Sequence, residues 1–198
     1  MTTPRATPSP SRRGGRGARQ RILDTAADLF YREGINATGV ERLASEAAVS
    51  KRTLYQHFPS KDAVVEEYLR AFRERVGEPV RSDSTTAPTD PRSCLLALFK
   101  APSPTGRMRG CPFHNAAVEA AEDMPAVHEI VRNHKREFVD GLVRLSKQAG
   151  ARNPRALGNQ LAVLYEGAAA LSTSLDESAP WTHARRAAQT LVDGAVGH

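Results

Sequence analysis

Apolar positions recur at helical spacing along this 198-residue chain, and no alternating run marks a strand. Ile22, Ala26, Leu29 and Phe30 fall at i, i+4, i+7 and i+8. They predict an amphipathic helix from about Arg16 to Glu33, stopped by Gly34 just past its end. Thr38-Gly39-Val40-Glu41 has the form of a capping box and opens a short second helix. Val40, Leu43, Ala44 and Ala47 face inward on it, and the chain turns near Ala48-Val49. Ser50 is a good N-cap for a third helix over 51–57, with Leu54 and Phe58 inward. Pro59-Ser60 breaks and recaps, and a fourth helix runs from about Lys61 to Val76.

Residues 77–92 read as a Pro/Ser/Thr-rich linker. Helices follow at about 92–101, 111–122 and 125–149, with a Pro/Gly-rich loop at 102–109. Asn153 caps another at about 154–176, and the last runs from Trp181 to about Val196. The expected fold is all-α. Residues 1–15, rich in Pro, Ser, Gly and Arg, form a disordered basic arm. Residues 16–76 make a three-helix helix-turn-helix domain with its connecting helix, and 77–198 a larger helical domain.

Charge sharpens this picture. The formal net charge is +6, and residues 1–61 hold eleven Arg or Lys against five acids, while the remainder balances. A localised basic region suits a polyanion, because each neutralised phosphate releases condensed counterions. The third helix presents Lys51, Arg52, Thr53, Tyr55, Gln56 and His57 outward, donors and hydroxyls that match phosphate oxygens and base edges. No apolar stretch is long enough to span a bilayer, and the N-terminus lacks the apolar segment of a secretion signal, so a soluble cytoplasmic protein is expected. Cys94 and Cys111 do not make a disulfide framework. No nucleophile–base constellation or Gly-rich phosphate loop marks an enzyme, and no cofactor is implied. Cys111, His114, His128 and His134 are too irregularly spaced for a metal site.

The ordered run RILDTAADLFYREGINATGVERLASEAAVSKRTLYQHFPSKDAVV resembles the DNA-binding domain of the tetracycline-repressor (TetR) family of bacterial transcription regulators. The features that carry the likeness are Gly34, Thr38, Leu43-Ala44, Ala47, Val49-Ser50, Thr53-Leu54-Tyr55, Phe58 and Lys61. Gly110 to Ala117 resembles C-terminal domains of one branch of that family. The resemblance implies a homodimeric DNA-binding regulator, most simply a repressor, that reads a palindromic double-stranded DNA operator. Its C-terminal domain would carry the dimer interface and a pocket for an unknown small-molecule effector. Carried over by position, Ser50, Lys51, Arg52, Thr53, Tyr55 and His57 lie on or beside the recognition helix, and Thr38 and Lys61 hold phosphates at helix starts. Two positions depart from the pattern. Ala48 stands where Gly is common in the turn, and Arg52 where a small residue is frequent.

Alternatives stay open for several residues. Tyr55 contacts phosphate or packs its ring on the bundle, and His57 contacts phosphate or caps the third helix. The N-terminal arginines are a minor-groove arm or an idle tail. Met108, Phe113, Phe138, Tyr165 and Trp181 are core residues or pocket lining, and Cys111 and His114 line a pocket or the surface. The small run Gly167-Ala168-Ala169-Ala170, together with the last helix, is expected at a dimer interface or at a packing surface within one subunit. A regulator without an effector is the rival reading.

Overall fold

Proline begins four of the helices. Pro91, Pro112, Pro125 and Pro154 stand at first helical positions, where a missing N–H costs nothing. The computed structural model describes residues 17–76, 90–101, 109–120 and 124–196. These residues form nine α-helices and no strand, apart from a lone bridge between Ala151 and Val196. In chain order they are α1 (Ala18–Arg32), α2 (Val40–Glu46), α3 (Lys51–His57), α4 (Lys61–Val76), α5 (Pro91–Ala97), α6 (Pro112–Glu119), α7 (Pro125–Gln148), α8 (Pro154–Leu175) and α9 (Ala179–Ala195). The basic arm, most of the linker, Met108 and the side chain of Val76 lie outside the described residues. No described helix is long and apolar enough to cross a membrane.

The chain divides into two units, Met1–Val64 and Val65–His198. In the first, Ile22, Ala26, Leu29 and Phe30 of α1 are buried with Ile35, Leu43, Ala44, Ala47, Leu54 and Phe58. Burying these side chains is the main force that holds such short helices, since α2 and α3 have seven residues each and do not persist alone. Gly34 takes φ 106°, the left-handed stop that its sequence position predicts.

The second unit is built on α7 and α8. A Cβ added at Gly158 would lie 2.7 Å from the Val143 backbone nitrogen, so only glycine lets these two helices approach so closely. Phe99, Phe138, Tyr165 and Trp181 meet in a cluster of edge-to-face and tilted pairs with centroids 5.0–6.1 Å apart. Around them lie Leu95, Leu142, Leu145, Leu157, Leu161 and Val192, all buried. The backbone N–H of Arg152 donates to the Ala195 carbonyl at 3.0 Å, tying the α7–α8 connection to the end of α9.

One expected local device is absent. Gly39, not Thr38, is the N-cap of α2, and it makes no side-chain cap. The Thr38 hydroxyl donates backwards to the Gly34 carbonyl at 2.8 Å, so the capping box does not form.

Candidate nucleic-acid interface

The polar face of α3 starts from a cap. Ser50 Oγ accepts the Thr53 backbone N–H at 3.0 Å and lies 2.8 Å from Thr53 Oγ1. This fixes the first turn after the sharp bend at Ala48-Val49. In that bend Ala48 adopts φ 51°, a left-handed conformation that an L-residue tolerates at a cost of roughly 1 kcal/mol. The Val49 N–H donates to the Ala44 carbonyl and the Arg21 Nε to the Ala47 carbonyl, and these bonds hold the chain in it. Leu54 is fully buried and anchors the helix from beneath.

That anchor leaves Lys51, Arg52, Tyr55 and Gln56 exposed, with Thr53 and His57 half-buried. Tyr55 is 44% exposed, so part of its side chain faces solvent on this surface. Lys61, the first residue of α4, is half-buried and already engaged in an interaction of its own. Ser50 and Thr53 face the same surface, with their hydroxyls partly committed to the cap. Thr38 does not belong to this surface. It is fully buried and its hydroxyl is spent on Gly34, so the expected phosphate contact through its side chain is corrected.

Sequence reasoning missed Glu41. Instead of closing a capping box, its carboxylate binds the Lys51 ammonium across from α2 to α3. The hydrogen bond from Lys51 holds the Glu41 carboxyl below its ordinary range, and Glu41 in turn raises the Lys51 ammonium. Nothing at the level of spacing points to a pair ten residues apart across a turn. A second pair, Arg42 with Glu33, is a two-pronged fork that ties α2 to the end of α1.

In the second unit a cavity of about 240 Å³ lies between α6 and α8. Cys111 and His114 line it, together with Asn115, Glu166, Ala170 and Thr173. At its edge Gly110 takes φ 74°, and a Cβ there would meet Thr173 Oγ1 at 2.8 Å. The Lys135 ammonium bonds Glu166 Oε1 at 2.6 Å and lies 3.9 Å from Cys111 Sγ. The other expected lining residues are elsewhere. Phe113 is fully buried and stacks on His134 with centroids 3.6 Å apart, while Phe138, Tyr165 and Trp181 belong to the aromatic core. Met108 is outside the described residues. Asn115 and Glu166 were not foreseen, because a polar residue on a mostly apolar helix is visible in sequence but its facing cavity is not.

Burial pushes the His134 imidazole down to about 4, with Lys135 and Arg73 adding to the shift and Glu166 opposing it. Its Nδ1 is buried and makes no hydrogen bond among the described residues. Cys94 is buried and Cys111 half-buried, and neither is in a disulfide. No cluster of potential metal ligands occurs among the described residues.

Comparison with known proteins agrees with this fold. The family model for bacterial regulatory proteins of the tetR family matches residues 22–68. The HTH-type transcriptional repressor KstR2 of Rhodococcus jostii is 37% identical over 98 residues, a match covering 50% of this chain and 46% of that repressor's length. The HTH-type transcriptional regulator LmrA of Bacillus subtilis is 27% identical over 173 residues, covering 84% of this chain and 92% of LmrA. The crystal structure of a TetR-family transcriptional regulator from Streptomyces coelicolor superposes with a TM-score of 0.76 at 31% identity, over 91% of this chain and 96% of that one.

Proposed function

Because this chain belongs to the tetR family of DNA-binding bacterial regulators, we propose that it is a repressor: a homodimer that reads a palindromic operator through α3 and is released by a small molecule. The observation that carries the reading is the α3 surface itself. Leu54 is buried beneath it, Ser50 caps it, and Lys51, Arg52, Tyr55 and Gln56 stand exposed on one short helix. In this reading Lys61 and His57 add phosphate contacts.

One short recognition helix gives little affinity, and a two-fold dimer presents two, matched to half-sites about 34–36 Å apart. The outer face of α8 supports such a dimer. Val163, Leu171 and Leu175 are 74%, 55% and 56% exposed at helical spacing, and nothing lies within 4 Å of a Cβ added at Gly167. An apolar stripe of that length on a soluble surface calls for a partner. The effector would occupy residues 77–198, and the cavity between α6 and α8 is a candidate, small against the usual ligand pocket of about 300–1,000 Å³. Coupling of about 1–3 kcal/mol between the two sites would change DNA affinity roughly 5- to 150-fold.

Selection of bound fragments from random or genomic DNA tests the core of this reading. A symmetric site is expected. Thr53→Ala with Tyr55→Phe should weaken binding to that site more than to random duplex, and equal weakening of both would defeat the reading.

A further inference from the structure

The pair between Glu41 and Lys51 is neither core nor cap. Its partners sit ten residues apart on α2 and α3, with side chains 75% and 52% exposed. An ion pair in that setting contributes little to stability. Its effect therefore lies in what the reading surface presents. Lys51 and Arg52 are neighbours at the start of α3 and both are exposed, yet Arg52 makes no ion pair among the described residues while Lys51 is already satisfied by a carboxylate. The other pair on this unit differs in kind. Arg42 grips Glu33 with both prongs, and the Glu33 side chain is only 28% exposed, so that fork is a tie between helices.

We propose that Glu41 is a specificity-determining positioning residue, which withholds the Lys51 charge from the phosphates of arbitrary duplex and aims it at a base edge of the proper site. The inference rests on the DNA-binding reading above. Affinity for arbitrary duplex comes almost entirely from counterion release, and an ammonium already neutralised by a carboxylate adds little to it. In a major groove the partner of Lys51 is instead an acceptor pair such as guanine O6 and N7. A side chain held in place beforehand gives up less rotamer freedom on meeting it. Glu41 thus lowers the background more than it lowers the specific complex.

The test uses the full chain and two duplexes of equal length, one carrying the site obtained by selection and one random. Binding is followed by fluorescence anisotropy over a range of salt concentrations. Glu41→Gln is expected to tighten binding to random duplex about threefold between low and moderate salt, and to steepen its salt slope by about one. Binding to the selected site should stay level or weaken, so the ratio between the two falls. Glu41→Asp, which keeps the charge, should return most of that ratio. In a Lys51→Gln background the Glu41→Gln change should do nothing. A Glu41→Gln protein whose slope and ratio match wild type overturns the inference, as does an effect that persists without Lys51. A wild-type chain that prefers no duplex at all overturns the DNA reading itself, a separate result seen before any variant is made.

Discussion

The two units of this chain solve the problem of stability by different means. The first holds its helices together with apolar side chains and local devices, namely the Ser50 cap, the Gly34 stop and the bonds that brace the Ala48 bend. The second relies on distant pairings: the bare contact between Gly158 and Val143, and an aromatic cluster drawn from Phe99, just past α5, and from α7, α8 and α9. Local devices leave a surface free to carry polar side chains. Distant pairings enclose volume, and a cavity is one result.

That contrast can be broken most severely at Gly158. Gly158→Ala pushes a methyl group into the Val143 backbone and should destabilise the α7–α8 pair by about 3 kcal/mol, read as lost hydrogen-exchange protection in both helices. Comparable in size is the pH response of His134. Its imidazole is neutral when folded and takes a proton near pH 4, whereas the unfolded side chain takes one near 6.5. The unfolded state therefore binds more protons between those values, and stability should fall as pH drops through that window by up to about 3 kcal/mol. Denaturant titrations of His134→Phe across the same range should lack that component.

Effects in the first unit are smaller. Ser50→Ala removes the acceptor for the Thr53 N–H and should cost about 1 kcal/mol in a denaturant titration. Ala48→Gly relieves the left-handed alanine, offset by the added freedom of glycine when unfolded, and should gain about 0.5 kcal/mol in the same measurement. A loss on Ala48→Gly would mean that the bend is not strained.

The same contrast explains what could be read from the sequence. The Ser50 cap, the buried Leu54 and the outward set from Lys51 to Gln56 are encoded within a few residues of where they act and were legible, whereas the helices expected at about 92–101 and 111–122 are shorter, Pro91–Ala97 and Pro112–Glu119. Thr38 shows the limit of such reading. Its four-residue signature fits a capping box, in which the hydroxyl would accept the Glu41 N–H, but the buried hydroxyl instead donates one turn back to the Gly34 carbonyl. The Glu41–Lys51 pair and the cavity depend on which helices meet. A list of aromatic residues therefore left Phe138, Tyr165 and Trp181 open between core and lining, where the structure makes them core, and overlooked Asn115 and Glu166.

The missing side chain at Gly158 also governs how the second unit can change shape. Sliding α8 along α7 by one turn would bring Ala162 or Pro154 opposite Val143, where either would collide. The two longest helices are thereby bolted in a single register. Any rearrangement within this unit must leave that bolt in place and turn about it, as a lever does on a fixed pin.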